Sequence, residues 1–289
     1  MRIHHLNCIT MCPIGGHLMD GRSRTLRRAR LVCHCLLIEA GSRLVLVDTG
    51  FGTRDVAAPA ERLSRFFLAE LAPEFRLEMT AAHQIAALGF SPDDVDHIVL
   101  THLDFDHAGG LDDFPRATVH LLEPERAAAE AQATAHARRR FRPQQWSSRD
   151  RWRTYPIRAG EPWFGFGCVR DLAGLPPEIL MVPLIGHTLG HAGVAIRGPS
   201  GWMLHAGDAY FHHAEMDPER PRCTPGLRAY QRMMDSDHGA RVWNQGRLRD
   251  LVRAHRGEVE VFCAHDPLEF ERLAPARSPW EPVPALSLP

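Results

Sequence analysis

The segment His102-Leu103-Asp104-Phe105-Asp106-His107 gathers two imidazoles and two carboxylates within six residues. It follows Ile98-Val99-Leu100, an apolar run that reads as the end of a buried strand. Aspartate is seldom buried unless it is paired or coordinating, so packing does not explain that density of charge at a strand-to-loop junction. Imidazole and carboxylate are the donors that divalent first-row metals take where sulfur is absent. The segment is therefore a candidate metal loop, followed directly by Gly109 and Gly110.

Other stretches carry the same chemistry in a recurring setting. Leu44-Val45-Leu46-Val47-Asp48-Thr49-Gly50 is a strand ending in an acid, and Gly186-His187-Thr188-Leu189-Gly190-His191 is a turn with two imidazoles. Gly207-Asp208 follows a strand, and Val261-Phe262-Cys263-Ala264-His265 is a late strand ending in histidine. The pattern His-x-(His/Asp)-x-Asp-His-x-Gly-Gly and these markers, in this order between residues 31 and 265, resemble the metallo-β-lactamase superfamily. The resemblance implies an α/β (α+β) fold, the four-layer αββα sandwich, with metals at one edge where strand-end loops converge. It assigns His102, Asp104 and His187 to one metal, Asp106, His107 and His265 to a second, and Asp208 to a bridge between them.

Two divalent ions in such a site, zinc foremost with iron or manganese as alternatives, support hydrolysis. The expected activity is hydrolysis in which a metal-bridging hydroxide would attack the carbonyl of a small ester or lactone, and Asp106 would help pass the proton to the leaving alkoxide. The layout is most similar to the quorum-quenching lactonases, in which a tyrosine shortly after the bridging Asp polarises the lactone carbonyl. Here Tyr210 follows Asp208 by two residues rather than three, and Phe211 takes the third place. Asp48 either caps its turn or orients a ligand, and His191 braces the Gly-His-Thr turn.

Asp104 departs from the pattern of most hydrolytic members, which carry histidine there. Three carboxylates and a bridging hydroxide cancel two divalent ions, whereas a histidine would leave the core one unit more positive. A less positive core is a weaker Lewis acid and tolerates ferric iron better. The alternative function is therefore a di-iron oxidoreductase handling oxygen or a persulfide. A third reading keeps metal only for folding and presents an Arg- and Trp-bearing insertion to a partner.

Composition limits the rest. All 34 basic residues among the 289 are arginine, so lysine Schiff bases and a Walker loop are excluded. A net charge of -1 offers no bulk field for nucleic acid or membrane, and the expected partner is a small-molecule substrate. Seven cysteines lack disulfide-scaffold spacing. Cys8, Cys12, Cys33 and Cys35 offer donors for a further zinc site but read as small buried hydrophobes. With no apolar run of 18 residues and no leader-like N-terminus, the expectation is a soluble, cytoplasmic protein.

The elements that must position these residues follow from pattern. A single domain over 1–289 is expected, opening with a strand in residues 1–10 and a hairpin from Leu31–Glu39 and Leu44–Val47. Helices are expected over 56–72, Thr80–Leu88, Glu123–Arg140 and Asn244–His255, with Ser91-Pro92-Asp93-Asp94 opening a short one. Strands are expected at Thr118–Leu122, Ile179–Leu184, Ala192–Ile196, Trp202–His205 and Val259–Cys263. An Arg- and Trp-rich insertion around 138–160 reads as solvated or subunit-contacting. With the 56–72 helix, whose stripe is Leu63, Phe66, Phe67 and Leu71, it could form a homodimer surface. The Pro-rich tail 267–289 reads as a surface segment.

Overall fold

Alternation along Arg43–Val47 divides its side chains between two faces: Leu44 and Leu46 enter one apolar cluster, Val45 and Val47 another. The computed structural model describes residues 1–24, 27–157 and 160–274, with the backbone alone at 168–170. In it the same alternation recurs on two six-stranded sheets. The first runs in order β1 (Arg2–Asn7), β2 (His34–Ala40), β3 (Arg43–Val47), β4 (Val95–Val99), β5 (Thr118–Leu122) and β6 (Trp152–Tyr155). Its members pair antiparallel up to β3 and parallel from there on.

The second sheet contains β7 (Glu161–Trp163), β8 (Phe166–Asp171), β9 (Ile179–Pro183), β10 (Ala192–Gly198), β11 (Gly201–His205) and β12 (Val259–Phe262). Its spatial order is β12-β11-β10-β9-β8-β7, with β12 parallel to β11 and the other pairs antiparallel. Leu36, Ile38, Val45, Val47 and Val99 of the first sheet meet Met181, Val194, Ile196 and Phe262 of the second in one cluster. Outward-facing residues of each sheet join helical residues instead, Ile85 against the first and Leu248 and Leu251 against the second. The result is the αββα sandwich, its two sheets buried on both faces.

The helices depart from expectation where capping residues intervene. The expected 56–72 helix is three short ones, Thr53–Ala57, Pro59–Arg62 and Arg65–Leu71, because Pro59 starts a new turn and Ser64 accepts from the Phe67 amide at 3.2 Å. Leu63 and Leu71 are buried, whereas Phe66 is 65 % exposed. Glu123–Arg140 splits into Glu123–Ala131 and Ala135–Arg140 at the left-handed Gln132, with Thr134 capping the second piece. The long helix begins at His238, capped by Asp237, rather than at Asn244, and runs to Ala254. Pro225–Met234 is a helix that periodicity did not reveal. Of the tail, Pro267–Leu273 is a helix capped by Asp266, and 275–289 lie outside the described residues. Nor is the expected insertion fully solvated: Arg140, Trp146 and Trp152 are buried.

A buried histidine pair ties β4 to β5. His97 Nδ1 lies 2.9 Å from His120 Nε2, His120 Nδ1 lies 2.7 Å from the Tyr155 hydroxyl, and an Arg43 nitrogen lies 3.1 Å from His97 Nε2. Arginine only donates, so His97 accepts at Nε2 and donates to His120, which donates to Tyr155; both rings are neutral. Burial, then the neighbouring His97, pushes the His120 pKa from 6.5 down to about 3. A histidine depressed on folding contributes stability above its unfolded pKa and loses it as pH falls. Unfolding by urea at pH 5 should therefore show about 1–2 kcal/mol less stability than at pH 7 from this residue. His120→Gln should flatten that dependence; an unchanged slope would remove His120 as its source.

Candidate metal centre

Each expected ligand sits just beyond a strand. β4 leads to His102, β11 to Asp208 and β12 to His265, while the β9–β10 connection carries His187. Asp104, Asp106 and His107 lie at or within the one-turn helix Phe105–Ala108, which the Asp104 carbonyl begins by accepting from the His107 and Ala108 amides. Cross-links between loops gather these ends: the Ala192 amide donates to the Thr101 carbonyl at 2.9 Å, and the Ala264 amide to Gly207 at 3.0 Å.

The structure brings all seven residues into overlapping groups. His102, Asp104, His187 and Asp208 offer donor atoms mutually within 4.8 Å, as do His107, Asp208 and His265. Asp106 groups with His265 and with Cys33, which the sequence did not single out as a companion. Of the four cysteines considered for a further site, Cys33 alone joins a metal-capable group among the described residues. Asp208 stands between the groups: Oδ2 lies 3.3 Å from His187 Nε2, while Oδ1 lies 3.3 Å from His107 Nε2 and 3.1 Å from His265 Nε2.

The residues fit divalent cations. His102 Nε2 is buried and has no hydrogen-bond partner, the condition of a nitrogen reserved for another kind of bond. The other edges of two imidazoles are tied: His107 Nδ1 donates to Asp48 at 2.8 Å, and His265 Nδ1 to the Val32 carbonyl at 2.7 Å. These contacts leave each Nε2 for the centre.

Burial opposes protonation of His265, but Asp208 and Asp106 outweigh it and raise the pKa to about 9. His107 is likewise held well above its ordinary value, burial again yielding to Asp208 and Asp48. A cation entering this donor set must displace those protons. Zinc titrated into chelator-stripped protein at pH 7 should release about one to two protons per chain, and apparent affinity should rise with pH until about 9. A weakly buffered indicator dye reads the release; no release would show that these imidazoles do not lose their protons to the metal.

The orienting contacts are equally specific. Asp48, at a positive φ of 53°, accepts from the Thr101 amide at 2.8 Å and hydroxyl at 2.7 Å as well as from His107. It therefore orients the His107 imidazole as well as ending a strand. His191 donates from Nδ1 to the Leu184 carbonyl at 2.9 Å and accepts the Asp208 amide at Nε2, also at 2.9 Å, so it braces two loops. Gly207, at φ 53°, passes so close that a Cβ would lie 2.6 Å from His191 Nε2. Glu125, fully buried, accepts from the Leu103 amide at 2.9 Å and the Gly190 amide at 3.1 Å, fastening both histidine loops to the start of helix Glu123–Ala131. Burial raises its pKa to about 7.

Comparison with known proteins agrees with this geometry. Residues 28–242 match the metallo-beta-lactamase superfamily. A probable metallo-hydrolase of Mycobacterium tuberculosis is 39% identical over 272 residues, covering 92% of this chain and 81% of that one. This chain belongs to the metallo-β-lactamase superfamily. An N-acyl homoserine lactonase of Bacillus thuringiensis is 30% identical over 95 residues, covering 33% of this chain and 38% of its own. A solved N-acyl homoserine lactone hydrolase, with N-hexanoyl-L-homoserine bound at its catalytic metal centre, superposes with a TM-score of 0.70 at 19% identity, covering 93% of this chain and 95% of that one. The chain is a hydrolase of the metallo-β-lactamase fold, and superfamily members bind divalent metals. Among the described residues no helix is long and apolar enough to cross a membrane.

Within that superfamily frame, the expectation for Tyr210 is not met. Its hydroxyl donates to Glu269, 2.9 and 3.2 Å from the two oxygens, inside the apolar cluster of the second sheet. Phe211, one residue on, lies against the centre instead, stacked on His265 at 5.1 Å and 24°. The Tyr230 ring meets Phe211 edge-on at 5.7 Å. Burial, then Asp106, Asp104 and Asp208, raise its pKa well above the usual phenol range. Tyr230 carried no sequence signal, and Arg140, whose guanidinium reaches Asp104, stood out only as part of the Arg-rich insertion: each comes from a helix outside the motifs.

Proposed function

We propose that the chain is a dinuclear metal-dependent hydrolase of a small ester, with a lactone of the acyl-homoserine type favoured. The observation that carries this reading is Asp208 standing between two donor groups with an oxygen facing each. When bound, two divalent ions supply Lewis acidity toward a carbonyl oxygen and an acidified water for attack. His102, Asp104 and His187 would hold one, and Asp106, His107 and His265 the other. Zinc suits these donors best, and the carboxylates also admit iron or manganese.

Asp106, the most exposed of the seven at 7 %, lies 3.5 Å from His265 and is placed to accept a proton and return it to the leaving alkoxide. Phe211 forms an apolar wall over His265, which limits water around the reacting carbonyl. The Tyr230 phenol, whose ring meets Phe211 and which burial and the charges of Asp106, Asp104 and Asp208 keep protonated, is the candidate for the carbonyl-polarising role that Tyr210 does not fill. The likeness to a lactonase over 95 residues and the fold-wide likeness to a lactone hydrolase support the substrate class. The di-iron oxidoreductase alternative finds no support among these relatives. Six unpaired cysteines among the described residues suit a reducing, cytoplasmic setting.

The test is metal analysis of protein purified without chelator, followed by a panel of lactones and acyclic esters. About two divalent ions per chain and chelator-sensitive ring opening are expected. Metal-loaded protein that opens no lactone and cleaves no ester would overturn the reading.

A further inference from the structure

Arg140 ends the helix Ala135–Arg140 and is 1 % exposed. Its Nε lies 2.9 Å from Asp104 Oδ1. One terminal nitrogen donates to the His187 carbonyl at 2.7 Å and to Ser236 Oγ at 3.2 Å, and the other lies 3.1 Å from His187 Nε2. Asp104 Oδ2 points to the imidazoles instead, 3.1 Å from His187 Nε2 and 3.3 Å from His102 Nε2. A backbone bridge between Asp104 and Phe141 fixes the two segments side by side. Guanidinium does not deprotonate in proteins, so a permanent cation is built into the wall of the donor set.

We propose that Asp104 and Arg140 act as one neutral unit in the place where most hydrolytic members carry a histidine. The guanidinium engages one carboxylate oxygen and cancels its charge. The other oxygen is left as a single donor toward the metal, so the pair presents what a neutral imidazole presents: one donor atom and no net charge. Arg140 is a positioning residue that acts through Asp104. The inference rests on the dinuclear reading only in taking Asp104 as a ligand. It also revises the charge expected from sequence, because Arg140 returns the positive unit that Asp104 removes.

Removing one partner of a buried ion pair leaves the other uncompensated, so the two single substitutions should differ in sign. The experiment measures zinc and cobalt(II) affinity of chelator-stripped protein, by competition with a chromophoric chelator, for the wild type, D104H, R140M and the double variant. D104H alone should bind metal more weakly, on the order of 10–100-fold, because an unpaired cation remains among the ligands. The double variant should recover to within about threefold of wild type. R140M alone should bind as tightly as wild type or more tightly, since loss of the cation outweighs loss of its hydrogen bonds to the His187 carbonyl and Ser236. Wild-type affinity in D104H, or a double variant as weak as D104H, would overturn the proposal. So would a loss in R140M matching that in D104H, which would make Arg140 a scaffold residue. Should D104H fail to fold, D104N with and without R140M asks the same question. The readout needs no substrate, so a protein that opens no lactone can still show the coupling, and an active lactonase can still lack it.

Discussion

Asp208→Ala is expected to lower hydrolysis on the order of 10³-fold and to leave the protein with about one divalent ion or fewer per chain. The residue is 3 % exposed, and its two oxygens are divided between His187 on one side and His107 and His265 on the other. Among the described residues no other carboxylate belongs to both the four- and a three-residue donor group, so none of them can substitute for it. Asp208→Asn keeps the shape and the backbone bond to His191 but offers one uncharged oxygen, and should fall nearly as far. Because bound metal stabilises the folded state by linkage, the melting temperature of the metal-loaded variant should also drop toward that of the stripped protein. Hydrolysis within about tenfold of wild type in Asp208→Ala would show that the two groups do not work through a shared donor.

Glu125→Ala should cost about 3 kcal/mol of stability without touching a metal ligand. The side chain is buried and satisfies the amides of Leu103 and Gly190, and its removal orphans both donors at about 1–3 kcal/mol each. For a chain of this size that corresponds to a fall in melting temperature of about 5–10 °C. The loops so released carry His102 and Asp104 on one side and His187 on the other, so metal content should fall with stability. Glu125→Gln retains one acceptor oxygen and should fall between wild type and Glu125→Ala. A melting temperature within about 2 °C of wild type for Glu125→Ala would show that the loops are held some other way.

These two residues mark how far the chain could be read before folding. Asp208 stood out because it follows a strand and a glycine at a place the superfamily pattern specifies. Glu125 is one of two acids in the first turn of its helix, a common pattern, and its partners lie 22 and 65 residues away. Strands were legible because sheets buried on both faces demand apolar runs of a definite length; Thr118–Leu122 was located to the residue. Helix limits were misjudged where a single Pro59, Ser64 or Thr134 interrupts a run of good helix formers, since capping competes locally with propensity.

The sequence by itself determined the donor chemistry. Histidines and aspartates at strand ends in this order can be placed because strand alternation and loop length restrict where each side chain emerges. Only the tertiary structure decided what stands behind and above those donors: Arg140 against Asp104, Glu125 under two loops, Phe211 over His265 and Tyr230 beyond it, with Tyr210 drawn away to Glu269. The physical reason is that a ligand must follow a strand end within a few residues. A charge-cancelling or wall-forming side chain need only be close in space, and any helix packed beside the site can supply it.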